Sequence, residues 1–428
     1  MSSGMNGHSI EVSRTSGGIP VVVENIPDSE SAAYMVGVAT GSRDETPDIF
    51  GLSHLLEHTV FRETKTMDSY QMAKEIEGAG GELNAFTGRE MTAFYGITIK
   101  ETADVARRIV GDIVANPLIN EKATELEKKI VLQELSMIKS EPDRYIHDLF
   151  SMVLWRGHEL CQDEGGDEKL VAKMTNEDLR RYYDEKYRIP NLGVYAVGSV
   201  GMEETVAWAE ETLDGMSGGK RNVRTAPPAP EGKYEFVVND SDHYQVAMGF
   251  QSYGSSHPDR MAVTMLSAVL GSGTSSRLFQ DVREKKALVY SIFSSVSQNS
   301  DAGSMTTYMS CTKENVIEAM ETTSKVIGKL LADGLEKGEL ERAKRLVKGA
   351  NVRAMESTDN RLYRLGVNHN LNGSTETLEQ RLAKIELVTE EDVMRVAEDI
   401  LVSDRLNTVV LGKNNRALKN YDSTKLAF

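Results

Sequence analysis

Cysteine is scarce in this chain of 428 residues: Cys161 and Cys311 are its only two, and no CxxC pair occurs. Two isolated thiols provide neither a disulfide framework nor a thiolate metal site, which favours a reducing compartment. Long apolar runs are also missing, since no window approaches the roughly 20 apolar residues of a membrane helix. Residues 1–12 are polar and contain neither a secretory apolar core nor an Arg-rich transit stretch. We expect a cytoplasmic protein with no membrane partner.

Positive charge is in deficit as well. The chain has 49 Lys and Arg against 65 Asp and Glu, so its formal net charge is -16. A field of this sign repels a phosphate backbone, and we therefore expect no nucleic-acid partner. A basic peptide would be attracted to such a surface, although an acidic balance also serves simple solubility. With 40% hydrophobic and 27% charged residues, the composition is that of a folded protein, and the length of 428 residues predicts two or three domains.

A linker near the middle of the chain indicates an internal duplication. Residues 217–233 combine glycines, charged residues and the prolines at 227, 228 and 230. Weak sequence matches occur in order on either side: ITIKETADV with MSCTKENV, and ELEK with ELER. The offsets are 213 (313 − 100) and 214 (339 − 125), about half the chain. We predict two homologous domains, residues 8–216 and 234–428, joined by this linker.

The hydrophobic pattern of each half predicts an α+β fold. Strands are expected near the start of both halves, and helices after them. The predicted strands are 21–24, 33–39, 234–238 and 244–250, and the predicted later helices are 100–115, 121–140, 313–333 and 337–355. Each half should be a layer of helices packed on a mainly antiparallel sheet, so that the whole chain is a duplicated fold.

Two histidines and a glutamate, His54, Glu57 and His58, are spaced to share one face of a helix. Leucines and a valine recur at helical spacing through residues 49–61, which predicts that helix. Two imidazoles one turn apart can bind one zinc ion, and the carboxylate beside them can ligate the metal or activate a water molecule. From the residues alone, both interpretations of Glu57 stay open. So does the alternative that the histidines only make ordinary hydrogen bonds.

A third ligand is required for a catalytic zinc site, and Glu134 is the candidate. It lies on the predicted helix 121–140, whose core-facing residues we expect to be Leu126, Ile130, Leu135 and Ile138. Glu127 is seven residues earlier, so both carboxylates fall on almost the same helix face. Spacing alone does not exclude that both are solvated surface groups.

Three motifs, in order, resemble one known family. They are HLLEH at 54–58, GGELNAFTGREMTAFYGI at 80–97, and ELEKKIVLQEL at 125–135. This series resembles the pitrilysin and insulin-degrading enzyme family, the inverzincins. The pentapeptide departs from the common family pattern at Leu55 and Thr59, where other members have Phe and Met. Those changes leave the spacing of the ligands intact but could alter a neighbouring pocket.

The resemblance implies a role for each acidic and imidazole group. His54, His58 and Glu134 would be the ligands of one Zn²⁺ per chain, Glu57 the general base, and Glu127 a carboxylate that supports the site. By the same resemblance the substrate is a peptide whose scissile carbonyl is attacked by water activated between the zinc and the base.

The second half contains a further pair, Arg283 and Tyr290, seven residues apart. The glycines at 271–273 lack the GK[ST] ending of a phosphate loop and are expected to end a helix over 261–270. The resemblance implies that this arginine and tyrosine bind the substrate backbone or stabilise the tetrahedral intermediate. Without it, they would be a surface charge and a half-buried ring. The helix over 261–270 has no histidine, so only the first half should bind metal.

Asn84, Ala85 and Phe86 match a strand that, in the family, receives the substrate as an additional β-strand. Ordinary hairpin pairing is the alternative for these residues.

Taken with the family, the sequence predicts a zinc-dependent endopeptidase that acts on peptides or unfolded segments in an enclosed chamber. Related chains of this length, such as mitochondrial processing peptidase subunits, form dimers. This chain has both the zinc motif and the Arg/Tyr pair, which favours a homodimer and leaves a heterodimer with a related chain open. Two alternatives remain: a dedicated maturase for one precursor peptide, and a structural subunit like the respiratory-complex core proteins, which have typically lost the zinc motif.

Overall fold

The computed structural model describes residues 9–229 and 231–428. His8, the predicted start of the first domain, and Pro230 of the predicted linker lie outside these residues. The chain divides into two compact units. Unit 1 comprises Met1–Leu135, Gln162–Thr225 and Val352–Glu379, and unit 2 comprises Ser136–Cys161, Ala226–Asn351 and Gln380–Phe428.

The strands have the following bounds: β1 (Ser9–Arg14), β2 (Pro20–Asn25), β3 (Ser31–Val38), β4 (Glu82–Thr87), β5 (Thr92–Ile99), β6 (Leu192–Gly198), β7 (Tyr234–Val238), β8 (Tyr244–Tyr253), β9 (Val289–Gln298), β10 (Ala302–Cys311) and β11 (Asn407–Gly412). They form two sheets, ordered β1-β2-β6-β3-β5-β4 and β7-β11-β8-β10-β9. Pairing is antiparallel except between β2 and β6 and between β7 and β11, which are parallel.

The α-helices have the following bounds: α1 (Leu52–Val60), α2 (Ser69–Gly78), α3 (Ala103–Ala115), α4 (Glu121–Ser140), α5 (Pro142–Leu154), α6 (Glu168–Val171), α7 (Asn176–Lys186), α8 (Met202–Leu213), α9 (Arg260–Gly271), α10 (Val316–Asp333), α11 (Glu339–Ala354), α12 (Thr358–Asn372), α13 (Leu378–Leu387), α14 (Glu390–Ile400) and α15 (Arg416–Lys419). The turns Ser42–Asp44, Lys100–Thr102, Glu159–Cys161, Ile189–Asn191, Ser403–Arg405 and Ser423–Leu426 are 3-10 helices, and Phe279–Glu284 is a π-helix. Within the described residues, no helix combines the length and apolar character needed to cross a membrane.

Helices cover both faces of each sheet. In unit 1, the main core lies between one sheet face and helices that include α1, α3, α7 and α8. On the opposite face, Leu362 and Leu365 of α12 pack against Val22, Met35 and Tyr195. This double burial explains why the central strand β3 is apolar along almost its whole length.

Unit 2 is built in the same way around its own sheet. Helices α9, α10 and α14 contribute to the main core on one face. On the other face, Ile146 and Phe150 of α5 pack with Ala247 and Val409. Each unit therefore takes one covering helix from the other half of the sequence.

The predicted α+β fold is confirmed, and the predicted strands and helices agree with the observed ones to within a few residues. The observed division after Thr225 falls inside the predicted linker 217–233. The exchange of α5 and α12 is a difference from the predicted domains, which were continuous in sequence. It arises because each sheet has a second apolar face, and the helix that covers that face lies far away in the chain.

The predicted core face of α4 was wrong at Leu126, whereas Leu135 is buried as predicted and Ile130 and Ile138 are half-buried. Leu126 of α4 is 44% exposed, whereas Glu127, Lys128 and Val131 are buried. The helix is rotated because its buried charged groups have partners: Glu127 contacts His58, and Lys128 donates a hydrogen bond to the Met174 carbonyl at 3.0 Å. These contacts direct Glu127 towards the histidines and leave Leu126 in solvent.

Candidate metal centre

Helix α1, which presents the two histidines, is fixed at its N-terminus by a buried carboxylate. Glu45 is 3% exposed and accepts hydrogen bonds from the N–H groups of Gly51, at 2.8 Å, and Ser53, at 2.6 Å. Burial raises the pKa of Glu45 to about 7, despite these two hydrogen bonds. Gly51, the N-cap residue just before α1, has a φ of 100°, in the left-handed region that favours glycine. The beginning of α1 is thus held by side chain and backbone together.

One face of α1 is buried in the core, and another face presents the two histidines. Leu52, Leu55 and Leu56 are at most 2% exposed and anchor the helix in the core. His54 and His58 lie one turn apart with their Nε2 atoms 3.2 Å from each other. Two nitrogens bound to one tetrahedral zinc at about 2.0–2.1 Å would lie roughly 3.3 Å apart. The imidazoles therefore have the separation of two ligands of one ion.

Glu134 completes the group from helix α4. Its Oε2 lies 3.9 Å from His54 Nε2 and 3.5 Å from His58 Nε2. In the part of the chain that the structure describes, these three residues are the group of His, Cys, Asp or Glu side chains whose donor atoms could hold a metal ion, all within 4.8 Å of one another. Two nitrogens and one carboxylate oxygen form a donor set typical of catalytic zinc, so the residues fit this ion.

The two histidines differ in their electrostatics. Burial, together with the nearby His58, lowers the pKa of His54 to about 4, so His54 is neutral at pH 7 and its Nε2 can donate a lone pair. Burial would also lower the pKa of His58. The hydrogen bond to Glu127 and the charges of Glu57, Glu134 and Glu127 outweigh that effect and raise it. A positive ion at the group would be favoured by the same carboxylates.

Glu127 holds His58 from the side away from Glu134. The His58 Nδ1–H donates to Glu127 Oε2 at 3.0 Å, so that in the neutral imidazole Nε2 has the lone pair for a metal ion. Glu127 is 3% exposed and also accepts a hydrogen bond from Arg62. Burial alone would raise the pKa of Glu127, but the bonds to His58 and Arg62 lower it, so the carboxylate is ionised.

Glu57 lies on the same helix between the histidines, and its carboxylate is suited to accept a proton. Burial raises the pKa of Glu57 above its usual value, and the nearby Glu134 charge raises it further. Its Oε2 accepts a hydrogen bond from the Thr87 hydroxyl at 2.6 Å, at the end of β4. One oxygen of the Glu57 carboxylate is therefore fixed. Because the pKa of Glu57 is raised from its acidic value towards neutrality, the carboxylate is a more effective general base.

A pocket of about 640 Å³ adjoins this group. Its walls are largely apolar, with Phe61, Met72, Ile76 and Leu83 among them, and Glu57, His58 and Glu127 contribute polar atoms. An apolar pocket with a few polar groups at one end is the usual form of a binding site for an organic ligand.

Asn84, Ala85 and Phe86 lie on β4, which is the edge strand of the unit 1 sheet. They pair with Tyr95, Phe94 and Ala93 of β5 in antiparallel register. The Ala85 N–H donates to the Asn84 side-chain oxygen at 2.8 Å instead of to another strand. The free side of β4 thus has main-chain groups that an additional strand can use.

Arg283 and Tyr290 belong to unit 2. Arg283 lies in the π-helix, with its guanidinium 4.7 Å from the centre of the Phe279 ring. Tyr290 is the second residue of β9, the edge strand of the unit 2 sheet, and is 80% exposed. Their action on a substrate remains a prediction.

Three residues that the sequence did not point to contribute to the site: Thr87, Arg62 and Glu45. Arg62 is four residues after His58, so helical spacing could have suggested it. Thr87 directly follows the Asn84–Phe86 motif. Glu45 had no such signal, because its contact with α1 depends on how the chain turns between residues 45 and 51.

Comparison with known proteins gives two family matches. Residues 20–164 match the family described as insulinase (peptidase family M16), and residues 173–347 match the family described as peptidase M16 inactive domain. An uncharacterized zinc protease of Mycobacterium bovis is 32% identical over 92% of this chain and 91% of its own length. An uncharacterized zinc protease of Bacillus subtilis is 31% identical over 90% of this chain and 94% of its own.

Solved structures share the fold at lower identity. A Pseudomonas fluorescens structure described as a peptidase M16 inactive domain has a TM-score of 0.88 at 19% identity, covering 95% of this chain and 98% of its own. A Helicobacter pylori protease has a TM-score of 0.87 at 20% identity, covering 94% and 99%. A chain of complex III from Candida albicans has a TM-score of 0.85 at 17% identity, covering 98% and 100%.

Proposed function

This chain belongs to the insulinase family of peptidases, family M16, and from that premise we propose that it is a zinc-dependent endopeptidase that cleaves peptides or unfolded segments. The family resemblance drawn from the three sequence motifs is thereby confirmed. The observation that carries the proposal is the group of His54, His58 and Glu134, whose donor atoms lie within 4.8 Å of one another, with Glu57 on the same helix as the two histidines.

His54, His58 and Glu134 would hold one zinc ion. When bound, the ion supplies a Lewis acid that polarises a peptide carbonyl and lowers the pKa of water. Glu57 then has the role of general base: the oxygen not fixed by Thr87 accepts the proton of the attacking water and returns it to the departing amide nitrogen. Glu127 orients His58 by accepting the Nδ1–H hydrogen bond, so that Nε2 is the ring nitrogen directed to the metal.

Strand β4 would align the substrate. A peptide that pairs with the free edge at Asn84, Ala85 and Phe86 must be extended and must have unpaired main-chain groups, which selects unfolded or short peptides. The Asn84 side chain would release the Ala85 N–H as the substrate pairs. Arg283 and Tyr290 would donate hydrogen bonds to the substrate backbone or to the developing oxyanion.

The zinc motif and the Arg283/Tyr290 pair are both present in this chain, which supports a homodimer over a heterodimer, since no different chain is needed to supply either set. The enclosed chamber, the cytoplasmic location and the lack of a nucleic-acid partner likewise remain predictions. A structural subunit is disfavoured because all the residues for zinc binding and proton transfer are present. The likeness to a complex III chain concerns the fold alone.

The test removes the base but not the ligands. The protein and its Glu57→Gln variant are given a mixed peptide library, and products are read by mass spectrometry while bound zinc is measured by atomic spectrometry. We expect cleavage by the wild type to stop with a zinc chelator and return with zinc. Glu57→Gln should retain about one zinc per chain and lose at least about a thousandfold in activity.

Glu121→Gln is the matched control, because it makes the same change on α4, 13 residues from Glu134 (134 − 121) or roughly 20 Å along the helix. This variant should behave like the wild type. Loss of zinc from Glu57→Gln, or continued hydrolysis by it, would show that Glu57 is not the base. Cleavage of many unrelated peptides indicates a scavenging peptidase, whereas cleavage of one sequence class indicates a maturase. If the wild type cleaves no peptide, the proposal that the protein is a peptidase is rejected.

A further inference from the structure

Three aromatic side chains form a surface next to the edge strand of unit 1. They are Phe86 on β4, Tyr95 on β5 and Tyr363 on α12, which we call the aromatic platform. The ring centres of Phe86 and Tyr363 are 5.1 Å apart, and those of Phe86 and Tyr95 are 6.5 Å apart. Tyr363 is 52% exposed, so the platform has an open face.

The platform lies on the sheet face opposite α1. Leu83 and Ala85 of β4 pack into the core that contains α1. Phe86 packs with the cluster on the other face, which contains α12, and so does Tyr95. This follows from the alternation of side chains along a strand. A peptide paired with β4 would alternate in the same way and place every second side chain beside the platform.

Carboxylates lie close enough to two of the three rings to affect their electrostatics. The phenol of Tyr95 has its pKa raised by burial and then by the charges of Asp359 and Glu82. Burial and the charge of Glu164 raise the pKa of Tyr363. Glu164 forms an ion pair with Arg89 at 3.6 Å, which partly neutralises its charge. Asp359 and Glu82 are both exposed to solvent. The arginines of α12, Arg361 and Arg364, do not offset this charge directly, since both bind Glu24.

We propose that the aromatic platform is a binding subsite for an arginine or lysine side chain of a peptide that pairs with β4. The inference rests on the proposed function and specifies its substrate class. A cation over an aromatic ring is attracted by the ring's quadrupole, and the methylene stem of Arg or Lys covers apolar ring surface. The carboxylates of Glu82 and Asp359 add attraction to the same positive head group, in a protein whose net charge is -16.

The geometry predicts a measurable pattern of sequence preference along the bound peptide. Because neighbouring residues of an extended peptide point to opposite faces, a basic residue should be preferred at positions two apart. It should not be preferred at the positions between them, whose side chains face the side of α1. A general attraction of basic peptides to an acidic protein would show no such alternation.

The experiment uses a peptide of Ala, Ser and Thr in which one Arg is moved a single position at a time. Each peptide has a partner with citrulline, which has almost the same shape and no charge. The readout is the ratio of kcat/KM for Arg over citrulline, indexed to the cleaved bond located by mass spectrometry. We expect ratios of about five at alternate positions and near one between them.

Tyr363→Ala should reduce the high ratios several-fold, and Tyr363→Phe should retain most of them because the ring face remains. Asp359→Asn should lower the ratios and make them less sensitive to salt. Glu211→Gln is the matched control, since it removes one exposed carboxylate from α8, which packs on the opposite sheet face. That variant should leave the ratios unchanged.

Failure of the subsite and failure of the proposed function give different results. Zinc-dependent cleavage with equal ratios at all positions, or with ratios unaffected by Tyr363→Ala, overturns the subsite and leaves the peptidase standing. A preference for phenylalanine over arginine at the alternate positions also overturns it. If no peptide is cleaved, the proposed function fails, and the fluorescence anisotropy of labelled Arg and citrulline peptides decides the subsite: equal affinities overturn it.

Discussion

The hydrogen bond from Thr87 to Glu57 sets how readily the proposed base takes up a proton. Burial raises the pKa of Glu57, because the charged carboxylate has lost water, while the Thr87 hydroxyl lowers it by stabilising the charged form. The hydroxyl also occupies one carboxylate oxygen, Oε2, at 2.6 Å. A single residue therefore adjusts both the basicity and the orientation of Glu57.

Thr87→Val should consequently displace the pH dependence of cleavage. Without the hydroxyl the charged form of Glu57 is less stable, so the Glu57 pKa rises and a higher pH is needed to deprotonate the base. The acid limb of the kcat/KM profile should move up by about one pH unit, the equivalent of a hydrogen bond to a charged group. Steady-state kinetics between pH 5 and 9 measure it.

Thr87→Ser retains the hydroxyl and serves as the control. The acid limb of its kcat/KM profile should lie at nearly the same pH as that of the wild type. An acid limb at the same pH in Thr87→Val and wild type would mean that Thr87 does not tune the base.

At the scale of elements, the start of α1 depends on two glycines in close contact. Gly51 and Gly166 have φ values of 100° and 87°. A Cβ on Gly166 would lie 2.2 Å from the Gly51 Cα and 2.4 Å from the Gly51 nitrogen, both of them backbone atoms that cannot move aside. The loop before α6 is thus fitted against the first turn of the helix that presents His54.

Gly166→Ala should therefore lower the free energy of unfolding by more than the cost of a left-handed alanine. That conformation alone costs about 1–2 kcal/mol, and the backbone overlap adds to it. Urea denaturation of the zinc-free protein measures the change, and zinc affinity should fall with it because the start of α1 must shift.

Gly80→Ala separates the two contributions. Gly80 also has a positive φ, 69°, but a Cβ there meets no atom within 4 Å. It should show only the conformational cost. Equal losses of stability in the two variants would mean that the contact of Gly51 with Gly166 contributes nothing.

The local parts of the site were predictable from the sequence, because they depend on helical periodicity. His54, Glu57 and His58 share a face of α1 as a 3.6-residue repeat requires, and Glu127 and Glu134 share one of α4. The same periodicity failed for Leu126, because a charged side chain with buried partners determined the rotation of that helix. Thr87 and Glu45 act through loop geometry that no local pattern specifies.

At the scale of the whole molecule, the two sheets depend on helices from opposite halves of the chain. Leu362 and Leu365 of α12 cover one face of the unit 1 sheet, and Ile146 and Phe150 of α5 cover one face of the unit 2 sheet. Gly366 permits the close approach of α12, since a Cβ there would lie 2.6 Å from the Met35 sulfur. The weak sequence repeat indicated two similar halves, but periodicity does not reveal which distant helix covers which sheet.

Residues 1–225 and 226–428, produced separately, should therefore fail to form stable units. Each fragment leaves a sheet face without its helix, so we expect exposed apolar surface, strong binding of a hydrophobic dye and loss of near-UV circular dichroism. Co-expression of the two fragments should restore zinc binding and a cooperative unfolding transition, because each supplies the helix that the other lacks.

Cooperative unfolding and full zinc binding by the first fragment alone would contradict this expectation. The second fragment with α5 attached by a flexible linker is an informative control, and it should fold better than residues 226–428 alone.

The exchange of α12 also has a consequence for synthesis on the ribosome. The last strand of the unit 1 sheet ends at Gly198, and α12 begins at Thr358, 160 residues later (358 − 198). At roughly 5–20 residues per second, the nascent sheet waits about 8 to 32 seconds for its covering helix. During that interval Val22, Met35 and Tyr195 have no Leu362 or Leu365 to pack against. A chaperone that shields this face co-translationally would protect the growing chain from aggregation.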